Sequence, residues 1–249
     1  MKLPFILDQG MASQAAFGVI VLQADETLEA EFAGLFDRPG LALYHTRIPS
    51  GAEVTAETLA DMERELPRAV SLLPTAGPLD VVAYACTSGA TVIGPANVAG
   101  AIQSIHSTAS TTDPLSAVIA ACRHLGIKRL GVVSPYVAEV CTAMNSLLEQ
   151  NGLTIAAFGS FEQSEEALVA RITPQSVHDA VCAVGRNGDV DAIFAACTNL
   201  RTFGIIDRAE ATIDKPVITS NQALAWHMLT LANATTKGVG PGMLFDGSP

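Results

Sequence analysis

Twice along the chain a short apolar segment runs into the tripeptide Ala-Cys-Thr and then into small polar residues. VVAYACTSGATVIG reaches it at Cys86, and AIFAACTNLRTFGIID reaches it at Cys197. The two copies lie close to half the chain apart, so the spacing predicts two similar halves stacked face to face. Each copy reads as a strand ending in a turn that starts a helix. In open α/β sheets ligands bind outside the carboxyl ends of the strands, where both turns would lie. A ligand cleft between two thiols follows.

Around these turns, β-rich apolar runs alternate with longer helical patterns, the mark of βαβ units and parallel sheets. Expected strands are Phe17–Leu22, Leu41–Ile48, Val81–Cys86, a short one near Ala109–Thr112, Arg129–Ser134, Leu153–Phe158, Ala192–Cys197 and Pro216–Ser220. Thr55 caps a helix running through Val70, and Ser134-Pro135 and Thr173-Pro174 each supply a cap with a first-turn proline. Asn221 opens the last helix, through Trp226 and Leu231, while Gly126, Gly152 and Gly188 stand where helices should stop. The Gly- and Pro-rich tail Thr235–Pro249 reads as a loop or wrapped extension.

Length and composition narrow the function. The 249 residues make one large domain or two of about 120. Although 49% of residues are hydrophobic, no apolar run approaches the roughly 20 needed to span a bilayer. Asp8 interrupts the start MKLPFILDQGMASQAAF before a signal-peptide core forms, so a cytoplasmic protein is expected. With 25 acidic residues against 14 basic ones, a net charge of -11 and no basic cluster, neither nucleic acid nor an anionic membrane is a natural partner. Five cysteines at irregular spacings, without Cys-x-x-Cys, indicate free thiols rather than disulfides or a metal centre. Phosphate-loop and dinucleotide glycine motifs are missing, which removes most support for a nucleotide cofactor. His45, His106, His124, His178 and His227 are scattered without a repeated neighbour, against a Cys-His hydrolase.

A cysteine between a strand end and a helix start sits among backbone N–H groups and a positive helix end, which favours its thiolate. Thr87, Ser88, Thr198 and Asn199 add hydroxyl and amide donors that can cradle a carboxylate or a developing enolate. A free cysteine is more often a small buried hydrophobe. The matched pair with matched polar followers favours function for Cys86 and Cys197, whereas Cys122, Cys141 and Cys182 lie inside expected amphipathic helices and read as core. Two thiols facing one ligand allow one to remove a proton from, or add to, a carbon beside a carboxylate while the other delivers a proton. Racemisation and isomerisation both fit.

At these residues the chain resembles the aspartate/glutamate racemase superfamily, in the branch of maleate cis-trans isomerase, arylmalonate decarboxylase and ectoine-utilisation proteins. GVIVLQADETLEAEF, YACTSGATVIG, RLGVVSPY, AACTNL and KPVITSNQALAW carry the resemblance over nearly the whole length. It implies two pseudo-symmetric flavodoxin-like α/β domains with the active site between them, here residues 1–114 plus 222–249 and residues 115–221. It also implies no metal, no cofactor, a small carboxylate substrate and a homodimer or higher homo-oligomer. Cys86 matches the cysteine that adds to the double bond in maleate isomerases, and Cys197 the opposing acid or base. Thr87 and Ser88 match a carboxylate pocket, and Tyr136 a carboxylate-binding tyrosine. The decarboxylases keep only the second cysteine, so both being present disfavours decarboxylation, which stays open as an alternative beside a non-catalytic metabolite-binding protein.

One departure bears on the substrate. Maleate isomerases carry Ser-Asn-Thr after the first strand, whereas this chain reads Ala24-Asp25-Glu26-Thr27. An ionised Asp25 cannot donate a hydrogen bond and would repel a dicarboxylate. Asp25 therefore either caps the following helix or faces a substrate that carries an amino group or another donor at that end, and the ectoine-utilisation relatives, which tend to have Asp here, point to a nitrogen-containing metabolite.

Overall fold

A computed structural model describes residues 1–247; the last two residues of the expected tail, Ser248 and Pro249, lie outside the described residues. The first sheet holds β1 (Ala15–Leu22), β2 (Leu41–Ile48), β3 (Val81–Ala85) and β4 (Ser110–Thr112), in the order β2-β1-β3-β4. The second holds β5 (Arg129–Ser134), β6 (Thr154–Ser160), β7 (Ala192–Ala195) and β8 (Val217–Thr219), in the order β6-β5-β7-β8. All the strand pairings in both are parallel. The connection pattern is the same twice, which is the internal repeat of the sequence realised as topology. β1 and β3 are buried along their full length, as parallel strands covered on both faces must be.

Helices α1 (Leu28–Phe36), α2 (Ala56–Ser71), α3 (Thr87–Ile93), α4 (Pro95–Gln103) and α5 (Pro114–His124) follow the strands of the first sheet. α6 (Ala138–Gln150), α7 (Glu166–Val169), α8 (Pro174–Gly185), α9 (Ile206–Ile213), α10 (Ser220–Leu231) and α11 (Met243–Asp246) follow those of the second. α2 begins where Thr55 accepts the Thr58 amide while the Thr58 hydroxyl accepts the Thr55 amide. Its Leu59, Met62, Leu66, Ala69 and Val70 recur at helical spacing and are all buried. Each full-size aliphatic side chain buried this way contributes about 1.5–3 kcal/mol. α10 leaves β8 yet packs on α5 and β3, so it joins the second sheet to the first.

Three expected helix boundaries are corrected. Ser134 ends β5 instead of capping a helix, because Pro135 holds the residue before it extended, and α6 starts only at Ala138. α10 starts at Ser220, one residue before Asn221, because Thr219 and Gln222 cap each other reciprocally. α8 stops at Gly185, short of Gly188, whereas Gly126 and Gly152 do take left-handed φ of 69° and 87° after α5 and α6. The two expected strands that ended in cysteine stop short of it, at Ala85 and Ala195. Both cysteines sit in the turns.

Candidate active site

β3 pairs with β1 as far as Ala85, and β7 with β5 as far as Ala195, so each Ala-Cys-Thr turn emerges from the middle of its sheet. Cys86 takes ordinary extended backbone and caps α3, its Sγ accepting the Gly89 amide at 3.1 Å and lying 3.5 Å from the Ser88 hydroxyl. Gly89 is required there, since a Cβ would run into the Tyr84 hydroxyl and come within 3.0 Å of Cys86 Sγ. Cys197 repeats the sequence but not the conformation. Its φ is 118°, outside the range that L residues adopt without strain, and its Sγ accepts the Asn199 amide at 3.3 Å. One hydroxyl joins the turns: Ser220 Oγ accepts the Cys197 amide at 2.9 Å and shares a 2.8 Å hydrogen bond with Thr87 Oγ1.

A second set of bonds brings two carboxylates to the same place. Asp25 Oδ1 accepts the amides of Thr27 and Leu28, both at 2.8 Å, so this residue does tie down the entry to α1. Its Oδ2 is shut away from solvent with no hydrogen-bond partner among the described residues. Asn199 Oδ1 accepts the Glu26 amide at 2.9 Å, and its Nδ2 donates at 3.0 Å to Glu166 Oε2 and at 3.2 Å to the Glu166 carbonyl. A single side-chain amide thus fixes both the Asp25 loop and Glu166. Glu166 opens α7, whose backbone is bound to the first half through the Glu166 amide and the Ala52 carbonyl. Glu31 of α1 accepts the amides of Thr202 and Phe203 and the Asn221 side chain, closing the same seam from the other side.

The family model for arylmalonate decarboxylase matches residues 53–245. The chain belongs to the arylmalonate decarboxylase family. The arylmalonate decarboxylase of Bordetella bronchiseptica is 27% identical over 248 residues, covering 95% of this chain and 99% of that one. A maleate isomerase of Pseudomonas putida is 24% identical over 243 residues, covering 93% and 97%. The Nocardia farcinica maleate cis-trans isomerase, solved as a mutant with a covalently bound succinylcysteine intermediate, shares the fold with a TM-score of 0.84 at 24% identity, over 94% of this chain and 99% of that one.

In this family member both thiols are held neutral. Burial pushes the Cys86 thiol up to about 12; Ser88, Gly89 and Tyr84 oppose the rise and Glu166 adds to it. Cys197 is driven upward by burial and then by Glu166, against hydrogen bonds from Tyr136 and Asn199. The expected preference for thiolate is therefore overturned in the closed site: the backbone field is present, but desolvation beside a carboxylate outweighs it. Burial also raises Glu166 and Asp25, and Asp25 raises Glu166 further.

Every residue expected in the site is buried here, Asp25, Cys86, Thr87, Ser88, Tyr136, Cys197, Thr198 and Asn199 alike. Tyr136 lies within electrostatic reach of both thiols. Thr198 Oγ1 points to the Ala85 carbonyl at 3.4 Å and also supports the ionised form of Asp25. Asn199 spends its side chain on Glu26 and Glu166, so it acts on the site by positioning. Cys122, Cys141 and Cys182 are buried within α5, α6 and α8. The cavity of about 450 Å³ bounded by Phe161, Leu168 and Arg171 has neither thiol in its wall.

Sequence reasoning missed Glu166, Tyr84 and Ser220. Glu166 sits in the run FEQSEEALVA, which reads as a solvated charged face, and Tyr84 reads as an ordinary strand residue. Ser220 carried a signal, since VITSNQ repeats the strand-turn-helix polar switch seen at both cysteines.

Proposed function

We propose that the chain is a cofactor-independent isomerase or racemase of a small carboxylate, with Cys86 and Cys197 as the opposed acid and base. The observation that carries this reading is the pair of equivalent turns, one from each sheet, that set both thiols around Tyr136 and Glu166. The maleate isomerase relative and the succinylcysteine captured in the Nocardia farcinica protein support it. The same proposal divides the chain into residues 1–114 plus 222–249 and residues 115–221, with the site between them, in a cytoplasmic homo-oligomer.

Thr87, Ser88 and Tyr136 are assigned to the substrate carboxylate, through hydroxyls and the first-turn amides of α3, which have no acceptor inside the helix. In a racemisation, one cysteine as thiolate takes the proton from the carbon beside the carboxylate, the electron pair remains as an enolate, and the other thiol protonates the opposite face. In a cis-trans isomerisation, the Cys86 thiolate adds to one carbon of the double bond and the electron pair moves to the other. Rotation about the resulting single bond and expulsion of the thiolate then restore the alkene. Solvent deuterium entering the α-position identifies the first, and conversion of maleate to fumarate the second. Cys86→Ser and Cys197→Ser should each lose turnover by orders of magnitude. Near-full activity in either sinks the two-thiol mechanism.

The family match favours one other reading, decarboxylation of a disubstituted malonate with Cys197 as the proton donor. Carbon dioxide release that survives Cys86→Gly and stops in Cys197→Ser would establish it instead.

A further inference from the structure

The turn that carries Cys197 is held largely from the other half of the chain. β7 ends at Ala195, and residues 196–202 then lead to the 3-10 turn Phe203–Ile205 and to α9. Along this stretch the first half supplies partner after partner. Thr27 Oγ1 donates to the Asn199 carbonyl at 3.0 Å, and the Glu26 amide donates to Asn199 Oδ1. Glu31 of α1 reaches further: its Oε1 accepts the amides of Thr202 at 2.6 Å and Phe203 at 2.9 Å, and its Oε2 accepts Asn221 Nδ2 at 2.7 Å. The same Nδ2 donates to the Thr198 carbonyl at 2.8 Å. Cys197 is thereby pinned on both sides, by Ser220 at its own amide and by Asn221 at the next carbonyl.

The Asn221 amide can point only one way. Glu31 Oε2 and the Thr198 carbonyl are both acceptors, so the nitrogen must face them, although this leaves Asn221 Oδ1 shut from solvent with no partner among the described residues. An oxygen buried in that state is costly, and the orientation holds because a carboxylate at Glu31 can only accept. The turn fixed in this way is the strained one. Cys197 has a φ of 118°, while Cys86, in the same tripeptide, keeps extended backbone with a φ of -149°. Strain of this kind persists only where the surroundings over-determine it.

We propose that Glu31 is a positioning residue for the second thiol: through Asn221, Thr202 and Phe203 it imposes on Cys197 a backbone that the tripeptide does not take by itself. The kinetic part of this inference rests on the isomerase or racemase reading; the structural part does not. The thiol of one half then takes its working geometry from a side chain of the other.

The test places Cys197→Ala and Cys197→Gly in three backgrounds: the parent, Glu31→Gln and Glu210→Gln. Glutamine at position 31 keeps an oxygen for the two amides but offers a donor to Asn221, whose amide can then turn over and release the Thr198 carbonyl. Glu210 is the control, a buried carboxylate that accepts the amides of Val217 and Met243, both at 2.9 Å, and makes no bond to residues 196–202. Urea unfolding gives the ratio of unfolding constants for each alanine and glycine pair. In the parent and in Glu210→Gln the two should agree within about threefold, because glycine relieves the strain. In Glu31→Gln the glycine variant should have an unfolding constant about tenfold larger than the alanine variant, the ordinary penalty at an unstrained buried position. Asn221→Ala, which leaves Glu31 on Thr202 and Phe203, should move the ratio the same way and serves if Glu31→Gln does not fold. A ratio that stays at the parent value in both variants, or that moves as far in Glu210→Gln, overturns the proposal and leaves Glu31 a structural residue.

Kinetics separate the inference from the reading beneath it. With both thiols intact, Glu31→Gln should lower kcat at least about tenfold, in maleate-to-fumarate conversion or in deuterium exchange at the α-carbon. KM should stay within about twofold, since Glu31 is not among the groups assigned to the substrate carboxylate. A raised KM with unchanged kcat overturns the positioning role. If the stability ratio moves as expected but Cys197→Ser retains full turnover, the clamp on the backbone stands and the two-thiol mechanism falls.

Discussion

Cys197 stores backbone strain, and glycine substitution can measure it. A residue held in a sparsely populated region costs about 1–3 kcal/mol and persists only where its surroundings over-determine it. At Cys197 the Ser220 hydroxyl holds the amide and the Asn199 amide holds the sulfur. The useful comparison is Cys197→Ala with Cys197→Gly, because both lack the thiol and differ only by a methyl group. At an ordinary buried position, Ala to Gly removes about 0.8 kcal/mol of apolar burial and loses about 0.4–1 kcal/mol to the freer unfolded chain. Ala195 in β7, fully buried on regular backbone, is the control, and Ala195→Gly should destabilise by about 1.5 kcal/mol. At a φ of 118° glycine relieves the strain, so Cys197→Gly should be about as stable as Cys197→Ala, or about 0.5 kcal/mol more so. The two comparisons should differ by about 2 kcal/mol, or about 4–8 °C in melting temperature for a chain of this size. Urea unfolding with matched slopes gives the cleaner value. Equal penalties at the two positions would refute the assignment of strain to Cys197.

Three further outcomes follow from the same geometry. Ser220→Ala leaves the buried Cys197 amide without its acceptor and should cost about 1–3 kcal/mol, with kcat falling more than KM rises; unchanged stability would remove the hydroxyl bridge from the argument. Gly89→Ala pushes a methyl group against the Tyr84 hydroxyl and Cys86 Sγ, and should destabilise by about 1–3 kcal/mol while abolishing turnover, both readable from one purified variant. Glu166 titrates above its ordinary 4.5 in the fold, so the folded protein holds that proton more tightly than the unfolded chain, and the ionised form weakens the fold at higher pH. That penalty disappears as pH falls through the folded value toward 4.5. Glu166→Gln should therefore be more stable than the parent near about pH 8 and lose the advantage near about pH 4.5 in urea titrations, whereas a pH-independent gain would assign it to packing.

The sequence announces elements whose burial is decided locally. β2 and β5 fall on the expected residues, and Thr55 and Thr173 cap their helices, because short β-rich apolar runs and caps depend on neighbours a few positions apart. The errors came where one residue has two uses. Ser134 before a proline suits a helix cap or a strand end, and the structure spends its hydroxyl on the Tyr136 amide at the end of β5 while α6 starts only at Ala138. Cys86 and Cys197 were visible because they repeat. Glu166 was not, since nothing in an acidic run tells which carboxylate a distant asparagine will draw inward. The φ of Cys197 was also hidden, as its tripeptide is the same as that around Cys86.

That identity of sequence and difference of backbone limits how alike the two halves can be as chemical partners. One sulfur is met by the amide three residues on, the other by the amide two residues on, from opposite regions of the φ map. A racemase interconverts mirror images, but this one would do so with machinery that is not its own reflection. Its two enantiomers should then show different kcat and different KM, and only the ratio of their kcat/KM values would be bound to unity by the equilibrium they share.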